Sequence, residues 1–346
     1  MRIAILTDAW LPQVNGVVRT LGKTIHWLEA WGHEVTCIHP GMFRNFPMPT
    51  YPDIRMAWRP GPTVKKVLDE FQPEAIHIAT EGPIGWAGRR YCLRRSLPFT
   101  TAYHTQFPEY LRLRLPVPLS VSYGVVRRFH SAAVRTLVAT ESMRELLEHW
   151  GFKNLVPWSR GVDIDQFYPR EEKVMQDLPR PIFVHLGRVA VEKNIRDFLQ
   201  LDLPGSKVVI GDGPARAELE RDYPEAVFLG YRQNGDLAAH LASADVLVFP
   251  SRTDTFGLVM LEAMASGVPV AAYPVPGPRD VVQNGVNGWV DEDLQKAAME
   301  AMKVDRAGCR DFAEAYSWEN CSRQFLESIQ PLDGTMVQVE PAPSES

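Results

Sequence analysis

An α/β fold of two doubly wound parallel-sheet domains is predicted by the length of the chain, the character of its apolar runs and the rhythm in which they recur. At 346 residues the chain exceeds what one hydrophobic core usually organises, so two domains of roughly 150 to 180 residues are expected. The apolar runs are short and nearly continuous, as in strands covered on both faces. They alternate with helix-length amphipathic segments, and that alternation calls for parallel sheets with crossover helices.

In chain order, RIAILT (2–7), EVTCIHP (34–40), IRMAW (54–58), AIHIA (75–79), FTTAYH (99–104) and TLVAT (136–140) read as buried strands of a first domain. After Tyr168-Pro169 and the charged run REEKVMQDLPRP, a second series begins: IFVHLG (182–187), KVVIGDG (207–213), AVFLG (226–230), DVLVFPS (245–251) and VPVAAY (268–273). The expected domains are residues 1–168 and 169–312. A terminal helix is expected over about 313–330, and the polar, proline-bearing residues 331–346 are expected to form a disordered tail.

Composition excludes several classes. With 45% apolar and 23% charged residues the chain reads as an ordinary globular protein. No apolar run approaches the ~18 residues of a membrane span, and MRIAILTDAW opens on strand-like residues instead of a basic leader, so a cytoplasmic protein is expected. The four cysteines form no C-x-x-C pair, which argues against a zinc site or a disulfide framework. Residues 1–170 hold 21 Lys and Arg against 14 Asp and Glu, and residues 171–346 hold 16 against 28. The basic excess of the first half gathers in RRYCLRR (89–95), LRLRL (111–115) and VVRRFHSAAVRTL (125–137), where arginines alternate with apolar side chains. Each alone is compatible with a solvated helix face; together they suggest a surface that meets anionic lipid headgroups. No nucleic-acid partner is expected.

In open α/β sheets, ligands bind beyond the carboxyl ends of the strands, so the loops there decide the chemistry. Asn15-Gly16 opens the first helix, where the lack of a Cβ at Gly16 would let a phosphate reach backbone N–H groups. The fingerprint G-x-G-x-x-G is absent, and Gly211-Asp-Gly213-Pro-Ala-Arg216 fails at its third glycine, which argues against a nicotinamide enzyme. In HLGRVAVEKN (185–194), Arg188 and Lys193 follow a strand end on one short loop, an arrangement suited to a diphosphate and equally to surface cations. In SRTDTFGLVMLEAMASGVPVAAY (251–273), Thr255-Phe256-Gly257 starts a helix. Asp254 reads most simply as its N-cap. Glu262, among Leu261, Ala263, Met264 and Ala265, must find polar partners, and sugar or ribose hydroxyls are suitable ones.

The run from Pro250 to Pro269 resembles the E-x7-E segment of GT-B retaining glycosyltransferases, the family-4 (group 1) class acting on nucleotide sugars. The resemblance extends in order over about residues 1 to 330, through Asn15-Gly16, His104-Thr105, ATESM (139–143), RGVDIDQFYP (160–169), GRVAVEKN, the GDGP turn, FLGYR (228–232) and SADVLVFPS. It implies two Rossmann-like domains facing a cleft, with the terminal helix packing back on the first. It implies that Arg188 and Lys193 bind the donor diphosphate and stabilise its departing charge. By the same resemblance Glu262 holds the ribose, the backbone of Phe256, Gly257 and Leu258 meets the donor, Gly230-Tyr231-Arg232 seats the base, Gly16 lies against the diphosphate and His104 points to the sugar. The family usually has Glu where this chain has Asp254, one methylene shorter, which puts its expected contact to a sugar hydroxyl in question. Asp163-Ile-Asp165 spells a D-x-D but falls in the family's own GVD pattern, so no metal or other cofactor is expected beyond the nucleotide-sugar co-substrate.

The implied activity is retaining transfer of a hexose from a nucleotide-diphosphate sugar to a lipid or glycan acceptor. A UDP-hexose (glucose or glucuronate) and a diacylglycerol-like lipid at the inner membrane face are the first expectation. GDP-mannose is the second. A sugar-nucleotide epimerase of the same fold, or a non-catalytic sugar-nucleotide-binding protein, are the alternatives of other classes.

Overall fold

A computed structural model describes residues 1–13, 15–48 and 51–335 of the chain. It divides into two compact units: Met1–Ser159 together with the chain from Trp318 onward, and Arg160–Ser317. These divisions fall at 159/160 and 317/318, where the sequence pointed to 168/169 and 312/313.

The first unit runs β1 (Arg2–Leu6), α1 (Gly16–Ala30), β2 (Glu34–Ile38), β3 (Asn45–Met48), β4 (Tyr51–Ala57), α2 (Gly61–Phe71), β5 (Ala75–Ile78), α3 (Pro83–Arg95), β6 (Thr100–Tyr103), α4 (Phe107–Arg112), α5 (Leu119–His130), β7 (Arg135–Val138), α6 (Glu141–His149) and β8 (Leu155–Pro157). Its six-stranded sheet has the order β2-β1-β5-β6-β7-β8, and every pairing is parallel. Strands β1, β5 and β6 are buried along almost their whole length, which is why they read as unbroken apolar runs.

The second unit runs β9 (Ile182–Leu186), a 3-10 turn (Val191–Lys193), α7 (Ile195–Leu199), β10 (Ser206–Ile210), α8 (Arg216–Asp222), β11 (Val227–Gly230), α9 (Asn234–Ala242), β12 (Val246–Phe249), α10 (Leu258–Ala265), β13 (Val270–Ala272), α11 (Pro278–Val281), β14 (Gly288–Val290), α12 (Leu294–Ala301) and α13 (Arg306–Glu314). Its sheet, β11-β10-β9-β12-β13-β14, is also wholly parallel. Phe183, Val209, Val246, Val248 and Ala271 face Ile195, Phe198 and Ala298 in its core.

Three elements differ from the sequence reading. IRMAW was expected as a buried parallel strand, but it lies in β4, which pairs antiparallel with β3 in a separate two-stranded sheet. The exposed Arg55 between half-buried Ile54 and Met56 gives a one-sided alternation, which suits a ribbon and not a strand covered on both faces. The expected helix over 313–330 is interrupted: α13 ends at Glu314, and the last helix, α14 (Trp318–Ser328), belongs to the first unit. There it packs on α1, with Phe325 edge-on to His77 at 4.9 Å and the Trp158 indole N–H donating to the Cys321 carbonyl at 3.0 Å. Finally, the tail expected to be disordered from 331 begins with order. The Leu332 N–H donates to the Glu74 carbonyl at 2.8 Å, and Pro331 bridges Ala75. Residues 336–346 lie outside the described residues.

Candidate active site

In the second sheet, chain order runs outward from β9 in one direction to β11 and from β12 in the other to β14. Loops leaving the carboxyl ends of β9 and β12 therefore diverge to opposite faces, which opens the crevice where doubly wound sheets bind ligands. The two segments singled out from sequence, 187–194 and 250–257, are the loops that flank this crevice.

The first loop is fixed by backbone bonds. The Gly187 N–H donates to Ile210 O at 3.0 Å and the Val189 N–H to Asp212 O at 2.9 Å, so the loop is stitched to the GDGP turn beside it. A Cβ on Gly211 would stand 1.8 Å from Gly187 O, and this close approach requires glycine. The 3-10 turn then delivers Lys193, and Asn194, with φ 53, turns the chain into α7. Its side chain donates to Pro250 O at 3.2 Å, tying the first loop to the second.

Lys193 Nζ lies 2.6 and 2.8 Å from the two carboxylate oxygens of Asp254. Their side chains are 19% and 16% exposed. Asp254 is thus not the N-cap that its position suggested; Gly257 takes that place, with φ 86 and no side-chain bond. A Cβ on Gly257 would meet Phe249 and Met260 at 2.9 Å, so this position needs glycine for both its backbone and its surroundings. Phe256 is buried and Leu258 half-buried at the start of α10. Glu262, one turn into α10, is only 4% exposed.

Beneath the Lys193 loop lies a residue that the sequence reading passed over. His185 on β9 is 1% exposed, and its Nδ1 is 3.4 Å from the Val248 carbonyl oxygen. A carbonyl only accepts, so Nδ1 carries the proton. Nε2 has no hydrogen-bond partner among the described residues. Burial first, then the charge of Lys193, pushes the imidazole down to about 4, so the ring is neutral at physiological pH. Its only sequence signal was a polar residue inside an apolar strand.

Arg188 is half-buried directly after Gly187. Gly230, with φ 71, ends β11, and its carbonyl accepts the Gly211 N–H at 2.9 Å. Tyr231 is 49% exposed, and Arg232 pairs with Asp236 at 3.3 Å. These three stand at the same sheet edge as Lys193, two strand spacings or about 10 Å from β9.

In the first unit, Gly16 is the first residue of α1, whose N-terminus is capped by Asn15 Oδ1 accepting the Val18 N–H at 3.0 Å. His104 follows β6 directly and is 9% exposed, with its ring 5.4 Å from that of Trp158. The chain order of the strands in this parallel sheet reverses between β1 and β5, and three residues missed from sequence gather there. Asp8 accepts the Ile84 and Gly85 N–H groups at the start of α3. Glu81 Oε1 lies 3.0 Å from His130 Nε2, and His130 Nδ1 lies 2.8 Å from Thr101 Oγ1.

The basic segments divide in two. Arg89 donates to the Phe129 and Arg128 carbonyls, Arg114 to Tyr110, Arg127 to Trp150 and Arg135 to Ser328, so these guanidiniums serve helix ends and turns. Arg90, Arg94, Arg112 and Arg128 are exposed, as is Arg127 despite its bond to Trp150 O. Near them in the chain, Phe107, Leu113, Leu115, Val121 and Val125 are exposed as well. Among the described residues, no helix is long and apolar enough to cross a membrane.

A family model described as "Glycosyl transferases group 1" matches residues 180–304, and one described as "Glycosyltransferase Family 4" matches residues 14–166. A GDP-mannose-dependent alpha-mannosyltransferase of Mycolicibacterium smegmatis is 34% identical over 313 residues, covering 82% of each chain. The chain belongs to the group 1, family 4 glycosyltransferases. An alpha-monoglucosyldiacylglycerol synthase of Streptococcus pneumoniae is a more distant member of the same kin, 27% identical over 87% of this chain and 78% of its own. A sucrose-phosphate synthase of Thermosynechococcus elongatus shares the GT-B fold, with a TM-score of 0.76 over 94% of this chain and 97% of its own at 21% identity. As a family 4 glycosyltransferase the protein is a retaining hexosyltransferase.

Proposed function

We propose that the protein transfers an α-mannosyl group from GDP-mannose to a hydroxyl of a membrane-lipid acceptor. The observation that carries the donor is the 34% identity, over 82% of both chains, to a GDP-mannose-dependent enzyme. It favours the second of the two donors expected from sequence. The UDP-hexose reading keeps one specific support, the relative whose name specifies glucosylation of diacylglycerol, and that name also supports a lipid acceptor.

In this reading Lys193 and Arg188 receive the diphosphate at the β9/β12 crevice, where a phosphate finds cations and loop N–H groups together. Glu262 accepts from the ribose, and Gly230, Tyr231 and Arg232 seat the base. The N–H groups of Phe256, Gly257 and Leu258 meet the sugar and its phosphate. Gly16 and His104 are assigned to the diphosphate and the sugar from the first unit. The anomeric C–O bond to phosphate breaks while the acceptor oxygen bonds the same face of the sugar. The acceptor's proton passes to the departing phosphate oxygen, and GDP leaves. No protein carboxylate is needed as nucleophile; the task of the site is to stabilise the charge gathering on the diphosphate.

Exposed Arg112 and Arg128, with Leu113, Leu115, Val121 and Val125 near them in the chain, support a peripheral site on an anionic membrane face. The test is incubation of the pure protein with UDP- and GDP-sugars, with and without diacylglycerol vesicles. Slow hydrolysis of GDP-mannose alone, turning to mannolipid when vesicles are present, is the expected outcome. Turnover of a UDP-sugar in its place would move the donor assignment to the UDP-hexose reading, and turnover of none would remove the reading.

A further inference from the structure

We propose that Asp197 and Tyr273 are positioning residues for the donor diphosphate: acting through Asn194, they fix the turn that delivers Lys193. The inference rests on the donor site proposed above.

Asn194 directly follows Lys193, and its φ of 53 and ψ of 34 place it in the left-handed region. After glycine, Asn bears that conformation best, because its short amide can bond nearby. Here the amide reaches further. Its Nδ2 donates to Asp197 Oδ2 at 2.6 Å and to Pro250 O at 3.2 Å. The Tyr273 hydroxyl donates to the same Asp197 oxygen at 2.7 Å, across 76 residues of chain. One carboxylate oxygen and one amide thus join the segments that follow β9, β12 and β13, three adjacent strands of the second sheet.

The direction of these bonds is fixed by the setting. Tyr273 is 6% exposed. Burial first, then its bond to Asp197 and the charge of that residue, raises the phenol to about 12 against the opposing charge of Arg252. The hydroxyl therefore keeps its proton and donates. The Arg252 guanidinium lies over the ring, 3.5 Å from its centroid, so the second loop holds the tyrosine from its face as well. Asp197 stands in the first turn of α7, where a carboxylate ordinarily answers the helix dipole; its Oδ2 is instead taken up by the Asn194 amide and the Tyr273 hydroxyl.

The turn itself is closed by backbone bonds, from the Lys193 N–H to Ala190 O at 3.0 Å and from the Asn194 N–H to Val191 O at 3.1 Å. Those bonds shape the turn, and the side-chain clamp sets where it stands against the second loop. Without the Tyr273 hydroxyl the turn keeps its shape and loses its fixed place. A displacement of about 1 Å is enough to carry the ammonium away from the charge that gathers on the departing diphosphate.

A double-mutant cycle on radiolabelled GDP-mannose tests this. Tyr273→Phe, which deletes only the hydroxyl, should lower kcat about tenfold and leave KM within about twofold, the pattern of a contact realised in the transition state. In a Lys193→Ala background the same substitution should change kcat by less than about twofold, because the group it positions is gone. Asp197→Ala should match Tyr273→Phe, and Asp197→Asn, which retains an acceptor oxygen, should recover part of the loss. Thermal unfolding confirms that each variant folds. Unchanged kcat in Tyr273→Phe, or an equal loss with and without Lys193, overturns the proposal. If wild type turns over a UDP-hexose and not GDP-mannose, the donor assignment fails while the same cycle, run on that donor, still decides the positioning. If it turns over neither, the donor reading falls and hydrogen–deuterium exchange decides whether the clamp holds the turn. Faster exchange over residues 191–197 in Tyr273→Phe than in wild type supports the clamp, and equal exchange overturns it.

Discussion

Asp8 at the end of β1 accepts the backbone N–H of Ile84 at 2.9 Å, 76 residues further along the chain, and so holds the N-terminus of α3 against the strand that precedes α1. Asp8 is 8% exposed. Burial raises its carboxyl to about 6, outweighing the N–H groups of Ile84 and Gly85 and the Thr80 hydroxyl, which lower it; the charge of Glu81 adds to the rise. An acid with its folded pKa raised binds more protons folded than unfolded, so its contribution to stability is greatest below about 4 and is lost as pH rises through about 6. Asp8→Asn removes that dependence. Relative to the variant, wild type should be about 1 kcal/mol more stable at pH 5 than at pH 8, as read by urea unfolding at the two pH values. A constant difference would place the titration elsewhere.

Lys193→Ala should lower turnover about 100- to 1000-fold, the scale of losing one donor to a developing oxyanion. Because the substitution also removes the Lys193–Asp254 ion pair, far-ultraviolet circular dichroism and donor calorimetry should accompany the kinetics. Near-normal kcat with intact folding would remove Lys193 from the diphosphate.

Gly257→Ala tests the entry to α10. A side chain at φ 86 costs about 1–2 kcal/mol, and its Cβ would press on Phe249 and Met260, each 2.9 Å away. The expected result is a lower Tm together with a raised KM for the sugar nucleotide, since the N–H groups of Phe256, Gly257 and Leu258 shift with the turn. A fall in Tm with KM unchanged would confine the glycine to folding.

Membrane association should reside in Arg112 and Arg128 and not in the arginines whose guanidiniums hold helix ends. Arg112→Ala with Arg128→Ala should reduce sedimentation with anionic vesicles by roughly 10- to 30-fold, at about 1 kcal/mol per surface charge, and wild-type binding should weaken with salt. Salt-independent binding, or an equal loss from Arg127→Ala, whose guanidinium donates to Trp150 O at 2.9 Å, would contradict this division.

The alternation of apolar runs and helices predicted both parallel sheets, because strands covered on two faces leave an unbroken apolar signature. Strands β8 and β14 are short and only partly buried, so they leave none, whereas the equally short β13 is wholly buried and was legible; β4 was misplaced because a one-sided ribbon is apolar enough to pass for a buried strand. In the candidate site Lys193 and Asp254 were each legible from their loops, but their pairing was not. They are 61 residues apart and meet only because β12 lies beside β9, which is a property of sheet order that local pattern does not carry. His185, Asp8, Glu81 and His130 were silent for a related reason. A single polar residue in an apolar segment shows its partner only once the chain is folded.

The return of α14 to the first unit makes the second unit an insertion, complete within Arg160–Ser317. On the ribosome the second unit therefore emerges whole while the first still lacks its last helix. Until Trp318–Ser328 is synthesised, the flanks of His77 and Trp158 that Phe325 covers stay open to water, and so does the face of α1 that this helix packs against. A message truncated immediately before codon 318 would yield a finished second unit tethered to an unfinished first, so the reading frame itself sets the order in which the two units mature.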